Sequence, residues 1–479
     1  MNAERFGIAL LALAATMALP ASAAAHIGSP DVFLDGQAGP YRLFVTVRPP
    51  HVIPGVADVE IETRASNIRE IRIVPLPLTG PGAEFAPAAD LAARSPDDPG
   101  RFTGHLWMMT AGAWQVRITA SGDQGSGSLS VPVPTLPQST LAMTRTLRAT
   151  LFCLMLVLAV GVVTIASAMA REAHLDPGTA PNRAARRRGR IAGGLALGAV
   201  LVALLGGNRW WAAEASNYAR IVYKPLELGS SVTPDGRLRL ALRDPGWIRT
   251  RRLDDFIDDH HHVMHLFVVS PALDRLWHLH PDEIATGMFE QRLPETPAGH
   301  YQLFADVVHG TGVSETVTAE LDTAAITGAP LGGDDSAWSA STVLSDNGRI
   351  VWVRDAQPLA TKQLTMFTFR VEDRNGQPAT DLEPYMGMSG HAIFIRRDRR
   401  VFAHVHPSGS APMAAMDLGQ RSLGARAATA LPQSHAHDVP LPAIVSFPYG
   451  LPEPGDYRIF VQVKRHGQIE TGVFDARVN

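Results

Sequence analysis

Residues 264–281 of this 479-residue chain read MHLFVVSPALDRLWHLHP, and residues 390–407 read GHAIFIRRDRRVFAHVHP. The two segments align without a gap at a constant offset of 126 residues. In the second segment, two apolar stretches flank a charged connection, a pattern that predicts a β-hairpin, and the first segment follows the same register. Side chains alternate between the two faces of a strand, so each hairpin is predicted to carry three histidines on an otherwise apolar face.

A second shared motif lies downstream of each hairpin. Residues 297–304 read PAGHYQLF and residues 453–460 read EPGDYRIF, now at an offset of 156. The second copy therefore carries an insert of about 30 residues, which contains two methionines and two further histidines, namely Met413, Met416, His435 and His437. We predict two periplasmic β-sandwich repeats at 215–326 and 340–479, joined by a linker near 323–341 that is rich in Gly, Ala, Asp and Ser.

The N-terminal region, 26–145, has a similar texture. Runs such as 41–47, 59–63 and 114–119 alternate or nearly alternate apolar and polar residues, and clusters rich in Pro or Gly separate them. Short strands at this spacing are typical of an immunoglobulin-like sandwich or a barrel. The predicted fold is therefore mainly β, with immunoglobulin-like β-sandwich domains on both sides of a two-helix transmembrane hairpin.

Three segments indicate export and membrane anchoring. Residues 1–25 contain an apolar run followed by small residues, as secretory signal peptides do. Residues 149–170 and 191–211 are predicted transmembrane helices, because each holds an uncharged run long enough to cross a bilayer. The loop between them, 171–190, holds six arginines and is therefore predicted to be cytoplasmic. This places the protein in a bacterial inner membrane, with both large regions facing the periplasm.

Composition excludes several classes of function. The net charge is −3, which gives no reason to expect nucleic-acid binding. The single cysteine, Cys153, excludes a disulfide framework, a cysteine zinc finger and an iron–sulfur cluster within one chain. The sequence shows no glycine-rich phosphate loop, no HExxH motif and no GxSxG motif with partnered His and Asp, so we do not expect an enzyme.

The histidines of the two hairpins are the candidate metal ligands. Imidazole suits copper and zinc, and nearby thioethers favour Cu(I) over zinc, so copper is the predicted metal and zinc the alternative. Two other interpretations remain open: the histidines are structural, or they form a protonation switch. The candidate ligands are His265, His278, His280, His391, His404 and His406, with Met386, Met388, Met413 and Met416 as softer auxiliary ligands.

These motifs resemble those of a known family. The first set is Met264-His265 with His278-Leu-His280-Pro, and the second is 385–391 with His404-Val-His406-Pro. Each set is followed by a G-x-Y-x-[LI]-F strand, and both look like exported domains of the YtkA-like kind. They are more distantly similar to CopC-type copper-binding domains. The resemblance covers 215–479 and implies an immunoglobulin-like fold in the cell envelope and a link to copper handling.

The predicted function is that of a membrane-anchored periplasmic copper-binding protein. It sequesters copper or passes it to an envelope partner protein. One alternative is a metal-free structural or assembly protein of the envelope. Another is a copper-dependent oxidase whose site forms at a mature N-terminal His26, together with a second histidine such as His51 or His105.

Overall fold

The computed structural model describes residues 26–29, 31–176, 178–248, 250–344, 347–354, 357–424 and 441–479. The predicted signal peptide and the two insert histidines, His435 and His437, lie outside these residues. The fold is mainly β, with immunoglobulin-like β-sandwich regions on both sides of a two-helix hairpin, as predicted.

Two sheets form the N-terminal sandwich. One has the strand order β2-β3-β4-β8-β7 and the other β10-β9-β5-β6. Alternation along these strands buries one side of each sheet in a shared core. The strands are β1 (His26–Ile27), β2 (Val32–Ala38), β3 (Tyr41–Arg48), β4 (Gly55–Glu62), β5 (Ile68–Pro77), β6 (Asp90–Leu91), β7 (Ala93–Arg94), β8 (Arg101–Met108), β9 (Gly112–Gly122) and β10 (Gly125–Thr135), with a 3-10 turn at Pro81–Glu84.

Two helices follow, α1 (Arg145–Glu172) and α2 (Arg183–Ala219). Both are long and apolar enough to cross a membrane. They approach closely at Gly189, where an added Cβ would lie 2.9 Å from the Ser167 carbonyl oxygen. The backbone N–H of Tyr223, just after α2, donates to the carbonyl of Pro137, just before α1, at 2.7 Å. The helical hairpin therefore leaves and re-enters the β region at one point.

The first repeat contains two sheets, of order β11-β12-β16-β15 and β18-β17-β13-β14-β19. The stretch predicted to be a linker contributes β19, which pairs with β14, so this stretch is part of the sandwich. The strands are β11 (Glu227–Val232), β12 (Arg237–Arg243), β13 (Met264–Val269), β14 (Arg275–Leu279), β15 (Asp282–Ala285), β16 (Met288–Arg292), β17 (Gly299–Val308), β18 (Ser314–Thr323) and β19 (Ser336–Ser339).

The second repeat has one sheet of order β1-β24-β23-β26-β22, with β27 paired to β26, and another of order β20-β21-β25. Strand β1, from the start of the described chain, joins the edge of the first of these sheets. The elements are β20 (Arg349–Val353), β21 (Thr365–Glu372), β22 (Leu382–Glu383), β23 (His391–Arg396), β24 (Val401–Val405), α3 (Met413–Ser422), β25 (Ile444–Tyr449), β26 (Gly455–Arg465) and β27 (Gln468–Val478).

The predicted hairpin register is confirmed in both repeats. Phe267 pairs with His278 in the first hairpin, and Ile393 pairs with His404 in the second, which are equivalent positions at the offset of 126. Both hairpin sheets are covered on both faces: one face packs into the core of its own repeat, and the other packs against the second hairpin sheet. Phe304 of the first repeat stacks on Phe402 of the second, with ring centroids 4.2 Å apart.

Candidate metal centre

The two histidine-bearing faces meet, and their histidines form one group at the junction of the repeats. Neighbouring rings have centroids 3.9 to 6.3 Å apart. Both repeats contribute, and so does the loop that precedes β13. We call this group the histidine cluster. Its members are His260, His262, His265, His278, His280, His391, His404 and His406.

Three histidines of the first repeat, His265, His278 and His280, each place one ring nitrogen within 4.8 Å of the others. We call them the first triad. The Nε2 atom of His265 lies 3.0 Å from the Asp259 carbonyl oxygen, which can only accept a hydrogen bond. The Nδ1 atom of His280 lies 3.0 Å from a carboxylate oxygen of Asp335. In a neutral imidazole the remaining nitrogen then carries a lone pair, which is free to bind a metal.

His278 completes this arrangement. Its Nδ1 atom lies 3.0 Å from Oε1 of Gln462 and 3.2 Å from the Tyr385 oxygen, and the Tyr385 hydroxyl donates its own hydrogen to a carbonyl. Two acceptors at Nδ1 leave the lone pair on Nε2. That Nε2 atom lies 3.2 Å from Nδ1 of His265, so two lone pairs face each other. A tetrahedral metal ion between them would hold the two nitrogens about 3.3 Å apart.

A second group combines both repeats. His260 comes from the loop before β13, while His391 and His406 come from the second hairpin, and their ligand nitrogens again lie within 4.8 Å of one another. We call these three the mixed triad. Among the described residues, Nε2 of His260, Nε2 of His406 and both ring nitrogens of His391 are buried and have no hydrogen-bond partner. A buried polar atom without a partner costs about 1–3 kcal/mol, so a bound metal ion that accepts these nitrogens as ligands would remove that cost.

His404 lies between the two triads. Its ring centroid is 5.4 Å from that of His265 and 5.3 Å from that of His391. Its Nδ1 atom faces a carboxylate oxygen of Asp306 at 3.5 Å, and its Nε2 atom is buried without a hydrogen-bond partner among the described residues. The structure therefore brings all six predicted histidines together, but into one cluster, in which His260 takes the position expected for His404 in the second triad.

Burial keeps the cluster neutral. Desolvation, reinforced by neighbouring histidines, lowers the pKa of five rings well below the ordinary value. Burial also raises the pKa of Asp306, to about 6. Neutral imidazoles are the form that binds metal ions, so the cluster is ready to do so at neutral pH. The five rings are those of His278, His280, His391, His404 and His406.

A cavity of about 410 Å³ reaches the cluster from the N-terminal sandwich. Its lining includes His265, His404 and His406 of the cluster. It also includes Pro134 and Tyr223, which precede α1 and follow α2 along the chain. The cavity therefore touches both the cluster and the segments that flank the helical hairpin.

The predicted methionine ligands lie in other surroundings. Met416 is fully buried in the core of the N-terminal sandwich, and Met413 packs against that core while its sulfur accepts a hydrogen bond from Ser408. Met386 contacts His260 through its backbone. The Met388 carbonyl accepts from the Tyr385 N–H. These contacts fit packing and turn formation, because long apolar side chains fill irregular gaps in cores.

The residues of the oxidase alternative are engaged separately. The backbone of His26 pairs with Val401 in a parallel bridge. His51 lies 3.1 Å from the side chain of Gln138, and His105 lies 2.8 Å from Asp58. Within the described residues, no contact joins these three histidines.

Several residues of the site are absent from the sequence prediction. His260 and His262 precede β13 and lie outside the repeated motif, and the carboxylates Asp334 and Asp335 fall in the stretch predicted to be a linker. The signal for the buried junction lies in the hairpin strands. Residues 264–269 and 391–395 are apolar or histidine throughout and are buried on both faces, whereas a strand exposed on one face alternates.

Comparison with known proteins gives limited information. Residues 343–479 match a family described as "Domain of unknown function (DUF8832)". No curated protein matches the chain. Among solved structures, the chain is similar to the tetra-tandem repeat in the extending region of a large adhesion protein, at 8% identity and a TM-score of 0.16, covering 90% of this chain and 72% of that one.

Two other structures show likenesses of the same order. Salmonella alpha-2-macroglobulin reacted with methylamine is 10% identical with a TM-score of 0.19, covering 96% of this chain and 24% of that one. The ICAM-5 D1–D4 ectodomain fragment is 6% identical with a TM-score of 0.16, covering 89% and 74%. Such distant likenesses carry no information on function. The segment matched by the domain of unknown function contains the second repeat, with His391, His404 and His406.

Proposed function

We propose that this protein is a membrane-anchored envelope protein that binds copper in the histidine cluster and holds it for transfer to a partner. One observation carries the proposal: in the first triad, each ring has one nitrogen bonded to an acceptor and the other directed at its neighbours. Metal-binding histidines show this arrangement, because the outer hydrogen bond selects the tautomer and orients the ring.

The donor set favours copper over other metals. Imidazoles bind copper, zinc, iron and nickel, and among divalent first-row ions the affinity is highest for copper. The candidate methionines are engaged in packing and turns, so the ligands are imidazoles alone. Divalent copper is therefore the ion that the cluster suits best, with zinc next. The resemblance of the histidine motifs to YtkA-like and CopC-type domains agrees with this choice.

Burial of the cluster supports a role in holding the metal and passing it on. His278 and His391 are fully buried, so a bound ion would be shielded from solvent. The cavity lined by His265, His404 and His406 also touches the segments that flank the helical hairpin. A metal-handling membrane partner is therefore the recipient that we propose.

Metal analysis of the purified full-length chain tests the function. The protein, without a polyhistidine tag, is dialysed against copper and then against buffer in detergent, and its copper content is measured by mass spectrometry. We expect copper to be retained by the wild type and lost from a variant with H278Q, H391L and H406Q combined, because both triads lose ligands. The matched control is H300Q, which removes an exposed histidine hydrogen-bonded to Asp322. Equal copper content in the triple variant and the wild type would contradict the proposal.

We also propose the orientation in the membrane. The arginines cluster where α1 ends and α2 begins, which supports a cytoplasmic connection between the helices and β regions that face the periplasm. Protease added to intact spheroplasts should digest both β regions, with a cytoplasmic protein as the protected control. Protection of either region would reverse this assignment.

A further inference from the structure

We propose that the histidine cluster holds two metal ions side by side, one in the first triad and one in the mixed triad, with His404 between them. This inference rests on the proposed function, and it assigns a number of ions and a ligand set to that site. The two triads share no residue, and each has its three ligand nitrogens within 4.8 Å of one another.

One ion cannot satisfy the cluster. A tetrahedral metal takes four ligands, and sites of this kind rarely exceed five. An ion in the first triad would leave the four unpartnered nitrogens of the mixed triad buried without a ligand. An ion in the mixed triad would leave the facing lone pairs of His265 and His278, 3.2 Å apart, without a cation between them. Two ions would provide a metal partner for the nitrogens of both triads.

The triads are close enough to share a ligand region. The rings of His278 and His391 have centroids 6.3 Å apart, and those of His260 and His265 lie 6.2 Å apart. The unpartnered Nε2 atom of His404 lies on a ring that contacts members of both triads. His404 therefore adjoins both triads, and the two ions would be neighbours in one centre.

Surrounding carboxylates offset part of the charge of two divalent ions, and one of them, Asp334, also faces Lys464 at 4.0 Å. Two such ions bring four positive charges into a region of low dielectric constant, and this is tolerated only if negative groups lie nearby. Four aspartates adjoin the cluster through direct contacts to its rings or to the loop that carries them, and their side chains are largely buried. They are Asp259, Asp306, Asp334 and Asp335.

His260 has the least expected role. It stands in a loop of the first repeat, in the left-handed region at a φ of 56°, and it enters a triad whose other members belong to the second repeat. Asp259, the residue before it, accepts a hydrogen bond from the N–H of Ala414 in the first turn of α3. The second ion would therefore join the two repeats directly.

Copper stoichiometry of the full-length chain tests the inference. We compare the wild type with H280Q, which alters only the first triad, H391L, which alters only the mixed triad, and the exposed control H300Q. We expect about two copper ions per chain in the wild type and control, and about one in each triad variant. A second mixed-triad variant, H406Q, replaces H391L if the latter fails to fold, as judged by circular dichroism.

Electron paramagnetic resonance adds a second measurement. Two Cu(II) ions this close interact through their magnetic dipoles, so the wild type should show a broadened signal and a half-field transition, both of which each single-triad variant should lack. One copper per chain, lost in both variants, would overturn the two-ion centre and leave the proposed function standing. Two coppers retained in both variants, or a wild-type spectrum without the half-field transition, would also overturn it. No copper in the wild type would overturn the proposed function itself.

Discussion

Replacing His391 with leucine should stabilise the protein in the presence of a chelator and abolish part of its stabilisation by copper. The His391 ring is fully buried, and neither of its nitrogens has a hydrogen-bond partner in the part of the chain that the structure describes. Leucine removes two unsatisfied polar atoms from the junction, each of which costs about 1–3 kcal/mol. Loss of the edge-on contact with the Tyr385 ring, 4.9 Å away between centroids, offsets about 1 kcal/mol of this gain.

Copper should reverse the order of stability of the wild type and H391L. A ligand that binds only the folded state stabilises it by about 4 kcal/mol at a free concentration 1,000 times its dissociation constant. The wild type gains this stabilisation from copper bound in the mixed triad, and H391L does not. The melting temperature of H391L should therefore be higher than that of the wild type in chelator and lower in copper. The control H300L, at an exposed site, should follow the wild type in both. If H391L is less stable in chelator and keeps the full copper effect, the ring has a structural role.

The metal-free protein should lose stability steeply between pH 7 and pH 5. Burial lowers the pKa of five cluster rings well below their ordinary value, so the unfolded chain takes up protons there that the folded chain does not. Stability from this source is complete above the unfolded pKa of about 6.5 and is lost as the pH falls toward the folded values. Five such groups set a ceiling of about 7 kcal/mol per pH unit on the slope.

One group acts in the opposite direction. Burial raises the pKa of Asp306 to about 6. The stabilisation from this carboxyl is therefore complete below its ordinary pKa and is lost as the pH rises through the folded-state pKa of about 6. A single carboxyl reduces the slope without reversing it. Denaturant unfolding at pH 5, 6 and 7 in chelator measures the slope, which should fall by about 1.4 kcal/mol per pH unit in H391L. Equal stability of the wild type at pH 5 and pH 7 would contradict the neutral, buried cluster.

The hairpins and the grouping of histidines on one face were predictable, because strand alternation and the repeated spacing depend only on local sequence. The meeting of the two histidine faces was not, since it depends on how two repeats 126 residues apart pack together. His404 illustrates the difference. Its place on the face with His391 follows from the register of one hairpin, whereas its position between two triads requires both repeats.

The methionines show a second limit of sequence reasoning. Met413 and Met416 lie near the histidine motifs along the chain, and this proximity favoured a ligand role. Helix α3 instead turns them toward the N-terminal sandwich, which contributes its core from residues nearly 300 positions earlier. A thioether is both a soft ligand and a good core filler, so its chemistry alone does not separate the two roles.

The hydrogen bond between Tyr223 and Pro137 bears on the engineering of this chain. Two backbone positions 2.7 Å apart are bridged by the whole helical hairpin, so the hairpin has the geometry of an insertion into a surface turn. The three sandwiches contact one another through β1, α3 and the repeat junction, without using α1 or α2. A short glycine-rich connection between 137 and 223 should therefore replace both membrane helices and leave the three sandwiches assembled.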